Sequence, residues 1–177
     1  MDYSKLKIGP NAPEIIYAMI EIPQGSSNKY EFDLELETIR LDRVLHTSMY
    51  YPGDYGLVPE TLSADGDPAD ILVIISKPTF PGCVLRARPI GLLKMEDSGF
   101  NDYKILAVAE DDPVQKGIKT YKDLSPSILK QIEHFFESYK LLENKITKVL
   151  GWEDEKSAQA YILKVHQDYL KKNNKGR

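Results

Sequence analysis

The sequence has few of the side chains that most often do chemistry: one cysteine, three histidines and one tryptophan in 177 residues. The single Cys83 cannot form a disulfide within the chain, which favours a reducing compartment. No apolar run suits a membrane span and no N-terminal apolar segment resembles a signal peptide, so we expect a cytoplasmic protein without membrane contact. The histidines are isolated from one another, which excludes zinc-ligand spacing; they are His46, His134 and His166.

Several classes of function are also disfavoured. With 23 basic and 27 acidic residues the formal net charge is −4, so the chain lacks the positive field of a nucleic-acid binder and we expect no nucleic-acid partner. The glycine-rich phosphate loop, the dinucleotide fingerprint and the Gly-x-Ser-x-Gly elbow are all absent from the sequence. An anionic ligand would have to be met by local cations or by bound metal.

The apolar pattern changes once along the chain, near residue 124. Strand-like runs precede that point; they cover residues 14–22, 29–36, 38–45, 71–76, 84–95 and 103–109. Two segments with helical spacing follow it, one starting at Ser125 and Pro126 and the other near Asp154. Short strands followed by two helices predict one α+β domain over residues 1–177, most economically a small closed β-barrel with helices packed outside.

The run 29–36 alternates strictly between polar and apolar residues. The apolar side chains are predicted to face inward; they are Tyr30, Phe32, Leu34 and Leu36. The opposite face carries Lys29 and Glu31.

Acidic residues concentrate in two loops. In "LSADGDPADILVII" three aspartates, Asp65, Asp67 and Asp70, precede an apolar run, and Asp97 and Asp102 flank "DSGFND". Hard divalent cations such as Mg²⁺ prefer carboxylate oxygens, water and substrate phosphates, so the two loops could surround several ions. Solvated acidic turns are the alternative, because Asp and Gly are ordinary loop residues.

Candidate phosphate ligands accompany the acidic loops. They are Lys29, Arg43, Lys104, Tyr139 and Lys140. Each cation alone could be an ordinary surface charge. Together with the carboxylates they indicate a pocket that holds both metal ligands and phosphate ligands.

Ordered motifs now make the pattern specific. "IEIPQGSSNKYEFD", "YYPGDYG", "DGDPADIL", "RARPIGLLKMED", "DYK", "HFFESYK" and "GWE" extend over almost the whole chain. This set closely resembles the family I soluble inorganic pyrophosphatases of the bacterial and archaeal type. The sequence departs from the commonest family pattern at Ala69, where a bulkier residue is usual, and in "DSGFNDYK", which has fewer acidic residues.

The resemblance implies a five-stranded OB-like barrel with flanking helices, an active site at the barrel mouth and a homohexamer. It also implies Mg²⁺-dependent hydrolysis of pyrophosphate to two orthophosphates by a metal-bridged hydroxide, with Mn²⁺ or Zn²⁺ as possible substitutes for Mg²⁺. Asp65, Asp70 and Asp102 would hold one ion, Asp70 would bridge it to a second, and Asp97 with Asp102 would hold a third. Glu31 would help to seat a further ion.

The remaining roles also come from the resemblance. Asp67 would be the general base, and the Lys, Arg and Tyr side chains named above would clamp the phosphates. Tyr55 would orient the nucleophile or Asp70, although core packing is the alternative for a tyrosine beside a turn. Glu21 would have a supporting role.

Three rival functions stay open at this stage. A nucleic-acid-binding barrel would need aromatics interleaved with Lys and Arg along its strands. A hydrolase of larger diphosphates, such as nucleotides, would differ in its relative rates on pyrophosphate, ATP and polyphosphate. A non-catalytic Mg²⁺- or Ca²⁺-binding protein would bind metal but release no phosphate.

Overall fold

Strands dominate the first two thirds of the chain in the computed structural model, which describes residues 5–33 and 35–174. In these ranges the elements are, in chain order, β1 Ile16–Ile22, β2 Asn28–Asp33, β3 Thr38–Val44, β4 Asp54–Val58, β5 Ala69–Ile74, β6 Val84–Asp97, β7 Phe100–Asn101, β8 Lys104–Ala109, α1 Pro126–Ser138, β9 Thr147–Glu153 and α2 Glu155–Asn174. None of the helices in those ranges is long and apolar enough to cross a membrane.

Five strands close into a ring. The hydrogen-bonded order is β1, β4, β5, β8, β6 and back to β1, and only the β5–β8 pair is parallel. Closure depends on the length of β6, since its 14 residues pair with β1 at one end, with β7 and β9 at the other and with β8 between them. This confirms the predicted α+β class and the five-stranded OB-like barrel with flanking helices.

Apolar packing holds the ring and the helices together. Helix α2 contributes Ala158, Ile162 and Val165 to one buried cluster, and α1 contributes Phe135 and Phe136 to a second. A ring this tight also needs close backbone contacts between strands. At Gly56 in β4 an added Cβ would lie only 2.0 Å from the Met19 carbonyl oxygen of β1, so no larger residue fits.

Strands β2 and β3 form a separate two-stranded sheet beside the barrel. This placement corrects in part the prediction that the apolar side of 29–36 faces inward. Leu36 is 64% exposed and lies beyond the end of β2, while Tyr30 and Phe32 are only half-buried. Tyr30 still packs against the buried cluster that contains Phe135 and Phe136, and Tyr30 and Phe32 both line the pocket. The inward direction therefore holds within β2 and fails at Leu36. Leu34 falls outside the described residues.

Several element boundaries also differ from the sequence prediction. Strands β4, β7 and β9 were not predicted. The first helix begins at Pro126, as expected, with the Ser125 hydroxyl accepting from the Ser127 backbone N–H at 3.3 Å. The second begins at Glu155, one residue after the expected start near Asp154.

Candidate active site

A pocket of about 550 Å³ opens at one end of the barrel, between the barrel and the β2–β3 hairpin. Twelve of the thirteen residues named for the site from the sequence line it; they are Glu21, Lys29, Glu31, Tyr55, Asp65, Asp67, Asp70, Asp97, Asp102, Lys104, Tyr139 and Lys140. They come from strand ends, loops and the end of α1, so the fold gathers residues that are distant in sequence.

The floor of the pocket is formed by Asp70, Asp102 and Lys104. Asp70 at the start of β5 is the register partner of Lys104 at the start of β8, so the parallel pairing brings them together. The buried Lys104 ammonium donates to both carboxylates. Burial alone would lower the pKa of Lys104, but the Asp70 and Asp102 charges outweigh it and hold that pKa above its usual value.

Asp102 shares the Lys104 ammonium with the Asp70 carboxylate. Its burial, together with the charge of Asp70, raises its pKa above the ordinary aspartate value despite the opposing effect of Lys104. Tyr55 borders the same floor, with the Lys104 ammonium 5.9 Å from its ring centroid. Burial and the neighbouring charges of Asp70 and Asp102 raise the pKa of Tyr55, so its hydroxyl stays protonated.

The acidic loop between β4 and β5 carries Asp65 and Asp67 on its exposed tip. The Asp67 backbone N–H donates to Asp65 Oδ1 at 3.0 Å, and Gly66 between them has a φ of +99°, which favours glycine. Partial burial, followed by repulsion from Asp65 and Asp70, raises the pKa of the Asp67 carboxyl. That shift makes Asp67 a better proton acceptor than an ordinary surface aspartate.

The hairpin forms the opposite wall. Lys29 donates to Glu31 and, at 3.1 Å, to Asp42 Oδ2 of β3. The hairpin meets the barrel where Glu21 Oε1 of β1 accepts from the Phe32 backbone N–H at 2.7 Å. Glu21 is 8% exposed, and this burial raises its pKa to about 7.

The third wall joins the β6 end to the segment after α1. Lys140 donates to Asp97, and this contact lowers the pKa of Asp97 although burial opposes the change. Tyr139 stacks on Phe135 with ring centroids 5.0 Å apart, and burial raises its pKa. The aromatic packing therefore fixes the direction in which the chain leaves α1.

Arg43 is the predicted site residue that does not line the pocket. It lies opposite Lys29 in the hairpin, and its guanidinium bonds to Asp42 and, at 2.9 Å, to Glu143 Oε1. Its Nη2 atom is buried without a hydrogen-bond partner among the described residues. Arg43 thus borders the site with one donor still unused.

Sequence reasoning missed several neighbours of the site. Asp42 binds both Lys29 and Arg43, Glu143 binds Arg43, and Lys145 lines the pocket. None belongs to a recognisable motif. The histidines are not in the pocket lining, and both His46 and His134 are exposed.

The donor set suits hard divalent cations. Within the described ranges, no three His, Cys, Asp or Glu side chains are gathered closely enough to hold an ion, because the carboxylates are turned toward lysines. Seven carboxylates and four lysines nevertheless line the pocket, and repulsion among the carboxylates contributes to the raised pKa values of Glu21, Asp67 and Asp102. A surplus of oxygen ligands with mutual repulsion fits Mg²⁺-type ions.

Comparison with known proteins shows which family has this arrangement. The family profile described as inorganic pyrophosphatase matches residues 18–170. The chain belongs to the inorganic pyrophosphatase family. Its relatives are of the bacterial and archaeal type. As a member of this family the chain is a hydrolase of the inorganic diphosphatase class.

Relatives from distant organisms share both sequence and fold. The inorganic pyrophosphatase of Nostoc sp. is 52% identical over 162 residues, covering 92% of this chain and 95% of that protein. The one from Picrophilus torridus is 47% identical over 163 residues, covering 92% of each. The crystal structure of the Thermus thermophilus inorganic pyrophosphatase matches with a TM-score of 0.92 at 42% identity, over 96% of this chain and 99% of that one. The pyrophosphatase barrel is therefore present at almost full length.

Proposed function

We propose that this chain hydrolyses inorganic pyrophosphate to two orthophosphates with Mg²⁺ as cofactor. The observation that carries the proposal is the pocket at the barrel end, where seven carboxylates and four lysines converge. Carboxylates alone would suit a metal store and lysines alone an anion site. Both together suit a substrate that is densely anionic and reacts only when its charge is neutralised.

The proposed cation ligands are carboxylates of the pocket. Asp65, Asp70 and Asp102 would hold the inner ions, and Asp97 and Glu31 would help to hold outer ones. Bound Mg²⁺ supplies charge neutralisation and makes water more acidic, and Mn²⁺ or Zn²⁺ could replace it.

The proposed phosphate ligands are the cations and the hydroxyl around the pocket. Lys29, Lys104 and Lys140 are paired with carboxylates in the structure. When those carboxylates coordinate cations, the ammonium groups can donate to phosphate oxygens instead. Arg43 could donate from the border through its unused Nη2, and a forked contact would also require Nε or Nη1 to leave its present carboxylate partner. Tyr139 would add a hydroxyl.

Asp67 is proposed as the general base. It lies at the exposed tip of its loop, and no ion pair engages its carboxylate in the part of the chain that the structure describes. A free carboxylate with a raised pKa can accept the proton of the attacking water. Tyr55 lies among the pocket residues and also packs against Tyr51, so it would combine a core role with orientation of Asp70.

We also propose one domain over residues 1–177, a homohexamer, a cytoplasmic location and no nucleic-acid or membrane partner. Several large apolar side chains are exposed and could be covered in an assembly; they include Phe80, Leu142 and Ile146. Light scattering on the purified protein would measure the assembly, and a monomeric mass would contradict the hexamer.

The decisive experiment is phosphate release by the purified protein. With pyrophosphate and Mg²⁺ we expect rapid release, which excess chelator abolishes. ATP and polyphosphate, tested in parallel, should react far more slowly; a preference for them would support the rival hydrolase of larger diphosphates. Metal binding without phosphate release from a folded protein would leave a non-catalytic metal-binding role.

A further inference from the structure

Helix α2 is tied to the loop that carries Asp65 and Asp67, although it contributes no residue to the pocket lining. The Leu62 backbone N–H donates to the Val165 carbonyl at 2.9 Å. The His166 Nδ1 atom lies 2.7 Å from the Glu60 carbonyl oxygen. Three residues further along the loop, Ser63 Oγ lies 3.1 Å from the Tyr161 hydroxyl. The helix therefore holds the segment 60–63 directly before the acidic tip.

Ser63 closes the turn that presents the acidic tip. Its backbone N–H donates to the Asp67 carbonyl at 2.7 Å, and its carbonyl accepts from the Gly66 N–H at 3.1 Å. The tip itself, residues 64–67, is exposed and buries no apolar side chain. Hydrogen bonds at its base, and not packing, must fix where the two carboxylates point. The Tyr161 hydroxyl anchors that base through Ser63.

Tyr161 also contacts the second acidic segment. Its ring packs on Tyr103 with centroids 5.7 Å apart at an angle of 55°, and Tyr103 lies between Asp102 and Lys104 of the pocket floor. Neighbours in α2, Ala158 and Ile162, are fully buried, so the helix is rigidly seated against the barrel. One side chain on a fixed helix thus contacts both segments.

We propose that Tyr161 is a positioning residue that sets the distance between Asp67 and the pocket floor. Its ring is held by Tyr103 beside the floor, and its hydroxyl holds Ser63 beside Asp67. The inference goes beyond the proposed function, on which its kinetic part rests. Transfer of a proton to Asp67 requires an accurate distance, and small displacements of a reacting group are costly.

The test is the variant Tyr161→Phe, which keeps the ring on Tyr103 and removes only the bond to Ser63. We expect kcat to fall by roughly three- to tenfold, as loss of one hydrogen bond allows, while KM stays within about twofold. Hydrogen exchange in a peptide covering residues 62–67 should accelerate by a similar factor, with chelator present. Tyr169→Phe is the matched control, because it makes the same change on the same helix at a hydroxyl without a hydrogen bond in the described ranges.

A double mutant identifies the route of the effect. If Tyr161 acts through Ser63, then Ser63→Ala combined with Tyr161→Phe should be no slower than the slower single variant. Additive losses, or unchanged kcat and unchanged exchange in Tyr161→Phe, would overturn the proposal. The exchange measurement needs no catalysis, so it still decides the positioning of the loop if the wild-type protein releases no phosphate and the proposed function fails.

Discussion

The floor of the pocket and the hairpin wall opposite it hold their charges in different ways. On the barrel side, β8 is buried along its whole length and the Lys104 side chain is 5% exposed between two carboxylates. On the hairpin side, every residue of β2 is half-buried and the Lys29 side chain is 18% exposed. The same residue type with carboxylate partners therefore occurs once in the core and once near solvent.

The difference in exposure predicts how strongly each set of ion pairs is coupled to the folding of the protein. Charges on the floor have lost most of their hydration, so their pairing is coupled to the folding of the barrel. Charges on the hairpin keep more of their hydration, so their pairing contributes less to folding than that of the floor. The floor suits a fixed metal site, while the hairpin suits ligands that exchange partners when a substrate arrives.

The largest effect is expected at Asp67, which belongs to the barrel side of the pocket but is exposed. Its loss should therefore affect catalysis much more than stability. Asp67→Asn should lower kcat by about 10² to 10⁴, as expected for a general base, and leave the melting temperature unchanged or slightly higher, because partial burial and repulsion disfavour the Asp67 charge. Steady-state kinetics and thermal unfolding would measure the two effects. Asp111→Asn is the control, because Asp111 is exposed and outside the pocket lining. Turnover close to wild type in Asp67→Asn would remove Asp67 from the mechanism.

The two lysines test the comparison directly through a matched pair of variants. Lys104→Met leaves Asp70 and Asp102 facing each other without a cation, so with chelator present it should lower the free energy of unfolding by about 3 kcal/mol. Lys29→Met should lower it by less than about 1 kcal/mol, because its partners remain partly hydrated. Urea denaturation measures the free energy of unfolding of both variants. Equal losses would show that ion pairs on the floor and on the hairpin wall are coupled to folding to the same extent. Kinetics should show reduced kcat or raised KM for Lys29→Met, and unchanged kinetics would end its proposed role.

The predictions from sequence were most accurate where a single segment contains the whole pattern that indicates its structure. The acidic loops, the helix starting at Ser125 and Pro126 and the apolar runs of the barrel are local patterns, and the structure places them in the elements that they indicate. Strand β4 was missed because "YYPGDYG" has turn residues. Its strand geometry comes from pairing with β1 and β5 on both sides, which overrides local preference.

The missed neighbours of the site depend on tertiary structure. Glu143 lies a hundred residues from Arg43 in sequence, so nothing local connects them. Asp42 reaches Lys29 and Arg43 at the register shift between β2 and β3, and irregular pairing is not readable from alternation. The prediction that this face turns inward over the whole run 29–36 was wrong at Leu36 for a related reason. Alternation shows that a strand has two faces, but not whether the barrel covers one of them.

The smallest effect is expected at Glu21, where the hairpin joins the barrel. The Glu21 carboxylate accepts a hydrogen bond from the Phe32 N–H. Burial raises the pKa of Glu21 from 4.5 to about 7, so in this window the folded state binds more protons at Glu21 than the unfolded state does. Raising the pH from about 4.5 to about 7 should therefore lower the free energy of unfolding, and above about pH 7 the loss is constant.

Glu21→Gln keeps an acceptor for Phe32 and removes this titration. With chelator present, the variant should match wild type near pH 4 and exceed it by about 1 to 2 kcal/mol near pH 8, measured by urea denaturation. Glu35→Gln, the same change at an exposed position, is the control for the substitution itself. If Glu21→Gln retains the full pH dependence of the wild type, the Glu21 carboxylate keeps its hydration in the folded state. The loss of hydration seen at the pocket floor would then not include the contact between hairpin and barrel.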